Sequence, residues 1–218
     1  MKAILIIIIV VVVVVLSLSL SLSLFHSQYM ALVYLAPLIV TQFVLIEHKI
    51  NGHVERSRAA GARSAEIIAA HFLANCFVLV IQTGFMMAIS LNYFDAANHG
   101  SILLLMAIVF MEGIAGVCLA LLMASMLNNK LASLVFIYGL TISLWMICGV
   151  FWPIQNINMD FVRKLVLFLP LTLPIETARN IMNRGWSWNH RDVLLGFGST
   201  LIYSFIPLII AYIFLRIK

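Results

Sequence analysis

A bundle of about six transmembrane α-helices, an all-α polytopic membrane protein, is the fold class that this sequence predicts. Three observations predict it. The 218 residues are 64% hydrophobic and only 10% charged, whereas a soluble domain carries about 25% charged residues. A mean hydropathy of +1.12 excludes a water-soluble fold. The apolar stretches are continuous rather than alternating, and several reach the roughly 20 residues that one helical span needs. In hydrocarbon every backbone N–H and C=O must bond within the protein, which leaves helices or a closed barrel. Continuous runs select helices.

The first run, Ala3 to about Leu24, combines VVVVVV with LSLSLSLSL. Its Leu/Ser alternation has the period of a strand, but a lone strand cannot span lipid, so a helix with serine hydroxyls bonded one turn back is expected. Residues 1–29 form a low-complexity segment, read alternatively as a retained span or anchor, a signal peptide, or an artefact of the gene start. The second run is about Met30 to Ile46, with Pro37 inside it. A charged island follows, EHKINGHVERSRAAGARSAE, residues 47–66. The third run is about Ile67 to Leu91, the fourth Ser101 to Leu127 after the polar hairpin NYFDAANHG, and the fifth Leu131 to Trp152 after Asn128-Asn129-Lys130. The sixth is about Val193 to Leu215.

Between the last two runs, residues 153–191 hold two short amphipathic patterns, DFVRKLVLFLP and IETARNIMNRGW. Phe161, Leu165, Val166 and Phe168 give the first an apolar side, and such pieces lie at an interface or dip into the membrane. Trp152, Trp186 and Trp188 mark headgroup level. Glu176 and Arg179, three apart on the second pattern, are placed to pair.

The net charge of +5 orients the chain. With Met1 inside, Lys2, Lys49, Arg56, Arg58, Arg63, Lys130, Arg216 and Lys218 all fall on the cytosolic side, as the positive-inside rule asks. Only the outer loop, with Arg163, Lys164, Arg179, Arg184 and Arg191, departs from it. No dense basic stripe interleaved with aromatics is present, so nucleic acid is not an expected partner. Cys76, Cys118 and Cys148 sit in apolar runs without metal-ligand spacing and read as small buried hydrophobes. The six histidines likewise lack metal spacing. No nucleophile–base–orienter set is evident, so intrinsic catalysis is not expected.

Several segments, in this order, resemble the membrane domain of ABC-2-type ABC exporters, especially the G and H subfamilies of eukaryotic half-transporters. ERSRAAGARSAEI resembles their intracellular loop, and MEGIAGVCLALLMAS (Met111–Ser125) their fourth span. CGVFWPI (Cys148–Ile154) resembles the outer end of their fifth span, and LPLTLPIETARNIMNRGW (Leu169–Trp186) their following loop. The likeness covers Met30 to Lys218 and five of the spans. It departs from the family after the WPI motif, where Gln155-Asn156-Ile157-Asn158 stands, in the lack of outer-loop cysteines, and in the short link between the first two runs. No Walker A motif is present in these residues.

The resemblance implies a multi-pass protein of the plasma membrane, forming a translocation pathway for hydrophobic or lipid-like cargo. It implies a nucleotide-binding domain, on the same longer chain or a separate subunit, that carries ATP and Mg. It also implies a second transmembrane domain, as homo- or heterodimer, surrounded by membrane lipids. The island then becomes a coupling segment through Glu55, Arg56, Arg58, Gly61, Ser64 and Glu66; the bland alternative is a solvated loop that only sets topology. Gln82, Glu112 and Gly116 become pathway candidates, and Trp152, Pro153, Glu176 and Arg179 an outer gate. Against these stand packing roles: Glu112 as a carboxyl buried among helices, Gly113, Gly116, Ala120 and Ala124 as a close-packing seam, and Asn75 and Gln82 as interhelical hydrogen bonders. An ATP-independent channel, carrier or scaffold is the competing function.

Overall fold

A computed structural model describes residues 22–93, 99–127, 129–148 and 160–217. All regular structure among them is α-helical. Eight helices follow in order: α1 (Leu22–Ile50), α2 (His53–Ala59), α3 (Ser64–Tyr93), α4 (Ile102–Met126), α5 (Lys130–Ile147), α6 (Asp160–Leu167), α7 (Thr172–Arg184) and α8 (Arg191–Ile217). The first predicted span up to Ser21, and Trp152 and Pro153 of the outer gate, lie outside the described residues.

Segments of α1, α3, α4 and α8 are long and apolar enough to cross a membrane. The 18 residues of α5 rise only about 27 Å, close to the roughly 30 Å hydrocarbon thickness. The break expected between Leu24 and Met30 is absent, because α1 runs on through Phe25–Tyr29. No glycine or proline stands there to end a helix. Likewise α5 stops at Ile147, short of the expected Trp152.

Helix α4 is the axis of the bundle, packed against α1, α3, α7 and α8. Its buried residues include Gly113, Gly116, Ala120 and Ala124. A β-carbon at Gly116 would collide with the Tyr34 carbonyl of α1, and one at Gly113 would meet the Leu79 side chain of α3. The seam is thus used for helix approach, as small residues in membrane helices commonly are. The outer faces of α3, α5 and α8 carry exposed Phe77, Ile81, Val135, Ile142, Ile202 and Phe205, which suits a surface solvated by lipid.

The two ends of the bundle differ. At one end, the last turn of α1 carries Lys49, whose Nζ donates to the carbonyls of Ala124 (2.8 Å), Ser125 (3.3 Å) and Leu127 (3.1 Å). A lysine at a helix C-terminus satisfies unpaired carbonyls and complements the dipole. Leu45, Ile46, Ile68, Val117, Leu121, Ala211 and Leu215 form a compact apolar cluster at this basic end. At the opposite end the His99 amide donates to the Met182 carbonyl at 3.0 Å.

Helix α7 plugs that opposite end. Its stripe of Ile175, Ala178, Ile181 and Met182 is buried with residues of α1 and α4, at the spacing of one helical face. By contrast α6 buries only part of its predicted apolar side. Val166 is buried, whereas Phe161, Leu165 and Phe168 are exposed, so that face points away from the bundle.

Candidate functional site

The elbow between α1 and α3 is built by two glycines in left-handed conformations, Gly52 (φ 69) and Gly61 (φ 94). L side chains rarely adopt these angles, so the chain can reverse twice around α2. Within α2, Val54 is buried while Glu55 and Arg56 are exposed. Arg58 is half-buried, and its Nη2 donates to the Leu215 carbonyl near the end of α8. Ser64 Oγ donates to the same carbonyl at 3.3 Å. Glu66 is exposed, and its carboxylate accepts from the Arg63 amide at 3.1 Å, the backward half of a capping box at the start of α3.

Two hollows flank Arg58. One, of about 430 Å³, is lined by residues that include Lys49, Val54, Glu55 and Ser125. The other, of about 670 Å³, is lined by residues that include Arg63, Ser64, Tyr212 and Arg216. Arg58 and Leu215 line both. His48 lies beside His53 and His71, with ring centroids 5.4 and 5.2 Å apart, but no group of His, Cys, Asp and Glu among the described residues has metal-holding geometry.

The six coupling candidates therefore gather at one end of the bundle, with two different orientations. Arg56 faces outward, Glu55 is exposed at the smaller hollow that it shares with Arg58, and Arg58 and Ser64 bond to the C-terminal end of α8. The pathway candidates do not gather with them. Glu112 and Gly116 lie buried in α4, and Gln82 is half-buried in α3. Neither oxygen of Glu112 has a hydrogen-bond partner. Asn75, expected to bond between helices, instead donates to the His71 carbonyl of its own helix at 2.7 Å. A polar residue four positions along a helix finds that carbonyl without any neighbour.

At the far end Glu176 and Arg179 form an ion pair at 3.0 Å, both largely covered. The Trp186 ring stacks on His190 at 3.6 Å, and the Arg184 guanidinium lies 5.1 Å above it. Two connections were missed from sequence. Lys49 as the cap of α4 depends on how α1 and α4 cross. Gln42, whose amide donates to the carbonyl and hydroxyl of Ser133 in α5, carried a usable signal, since an amide inside an apolar span calls for a partner.

The family model of the ABC-2 family transporter protein matches residues 27–214. The chain belongs to the ABC-2 transporter family. This ABC-2 domain is also 24% identical over 179 residues to ABC transporter G family member 20 of Dictyostelium discoideum. The match covers 82% of the chain and 24% of that relative, so the chain spans about a quarter of the length of the curated protein it matches. The matched region takes in every described helix but the first turns of α1 and the last of α8, and it makes this an integral membrane protein with a transporter's membrane domain.

For Glu112 the geometry yields a direct expectation. A bare carboxylate at the bilayer centre costs at least about 2.5 kcal/mol, and a buried polar group without a partner is costly in any case. Glu112→Gln keeps the shape and removes the charge. It is expected to melt in detergent at or above the wild-type temperature, while Glu112→Lys is expected not to accumulate. A marked loss of stability in Glu112→Gln would mean that the carboxylate itself is held by a partner.

Proposed function

We propose that this ABC-2 domain forms part of the translocation pathway of an ATP-driven exporter, with its basic end in the cytosol. In this reading a nucleotide-binding domain, carrying ATP and Mg, grips the exposed side of α2 through Glu55 and Arg56. A second transmembrane domain completes the pathway, in the plasma membrane, for hydrophobic or lipid-like cargo. The observation that carries the reading is the bonding of the elbow itself. Arg58 and Ser64 tie it to α8, and Lys49 ties the end of α1 to α4. A push on α2 would therefore reach the two helices that pack most heavily at the centre of the bundle, rather than being absorbed by a loose loop.

The orientation is tested by Arg56→Cys and a membrane-impermeant maleimide. Labelling is expected only after permeabilisation, and labelling of intact cells would turn the molecule over and end the coupling assignment. The docking side is tested by co-expression with the cognate nucleotide-binding domain. Arg56→Glu is expected to weaken association at least tenfold, about 1.4 kcal/mol, because reversing a charge at an interface sets like charges together. Unchanged association would remove α2 from the docking surface.

A further inference from the structure

The larger hollow at the basic end brings Arg63 and Arg216, which ATP coupling leaves unused, beside Arg58. Three guanidinium-bearing residues from three places in the chain line it: Arg58 of α2, Arg63 of the turn before α3, and Arg216 of the last turn of α8. Ser64 and Tyr212 add hydroxyls, and no carboxylate is among the lining residues. The acid of that turn, Glu66, is engaged with the Arg63 amide. Arg58 is held in place by the Leu215 carbonyl, while its buried Nε has no hydrogen-bond partner. Like charges sharing one hollow repel each other, and an anion seated among them offsets that repulsion. Guanidinium groups suit phosphate oxygens in particular, through paired N–H donors.

The setting distinguishes a lipid from a free anion. The hollow opens where α8 ends, and Ile209, Tyr212 and Ile213 are exposed along the helix leading to it. Residues 209, 212, 213 and 216 recur at the spacing of one helical face, so an apolar track runs directly to Arg216. We propose that this hollow binds the headgroup phosphate of an anionic phospholipid, with the acyl chains laid along the exposed face of α8. Basic pockets at the ends of membrane helices take such headgroups. The proposal rests on the membrane assignment and requires neither the cytosolic orientation nor a nucleotide-binding domain.

The test uses the full 218-residue chain in mixed micelles, titrated with phosphatidylserine or phosphatidylcholine and read by native mass spectrometry with no ATPase partner present. Wild type is expected to retain one phosphatidylserine in preference to phosphatidylcholine. Arg63→Gln with Arg216→Gln is expected to lose roughly 25-fold in affinity, about fivefold for each arginine. Lys164→Gln, an exposed cation on α6, is expected to change it less than twofold. Equal retention of the two lipids, an unaffected double variant, or an equal loss in Lys164→Gln would each overturn the proposal. Displacement of bound lipid by millimolar inorganic phosphate would also overturn it, by making the site one for free anions. The preference of wild type between the two lipids stands as a test even if the double variant fails to fold. Because both leaflet faces are equivalent in a micelle, failure here is separate from failure of the coupling assignment.

Discussion

Valine at position 116 is expected to keep the domain from accumulating in folded form. At Gly116 helix α4 comes so close to α1 that even a β-carbon would overlap the Tyr34 carbonyl, a backbone atom that cannot swing aside. Overpacking of a well-filled interior costs about 1–3 kcal/mol where side chains can adjust, and here the two central helices would have to separate. Alanine should show the same effect in smaller form, with the melting temperature lower by about 2–4 °C for each kcal/mol lost. The control lies in the same bundle: a β-carbon added at Gly139 in α5 would meet nothing within 4 Å, so Gly139→Ala should cost no stability. The yield of folded protein reads Gly116→Val, and thermal melts in detergent compare the two alanine variants. Equal behaviour of Gly116→Ala and Gly139→Ala would remove the close approach of α1 and α4 as a determinant of the fold.

The second large effect concerns transmission. Arg58→Ala deletes the charge-assisted hydrogen bond between the elbow and α8, a bond of the kind that contributes about 1.5–3 kcal/mol. It leaves Arg56 on the outward side untouched. Under the proposed function, the variant should bind the nucleotide-binding domain as wild type does. ATP-driven efflux of a fluorescent phospholipid analogue from proteoliposomes should nevertheless fall on the order of tenfold, the factor that corresponds to about 1.4 kcal/mol. Arg56→Glu should show the opposite pattern, with association lost first. If both variants lose association to the same degree, α2 is a single docking surface and the lever between elbow and α8 does not exist.

These two positions also mark how far the sequence could be read. The small residues of α4 announced a packing seam, because glycines and alanines at four-residue steps have few other uses in a membrane helix. Which helix entered the seam at Gly116 was not legible, since that depends on how α1 crosses α4. The elbow was legible as charged, glycine-punctuated and bounded by apolar runs. That Arg56 and Arg58, two residues apart, face in opposite senses is plain helix periodicity, but which of the two meets the end of α8 followed only from the tertiary structure. Asn75 shows the reverse limit: an amide expected to reach another helix found a carbonyl one turn back in its own.

Helix type, the positions of most spans and the clustering of basic charge were determined by the sequence alone, because each rests on local physics: hydropathy, chain length and the need of every peptide group for an internal partner in lipid. The burial of Glu112, the capping of α4 by Lys49 and the convergence of Arg58, Arg63 and Arg216 on one hollow were decided by the tertiary structure. Each of these depends on how helices distant in sequence meet, and composition and periodicity carry no record of crossing geometry.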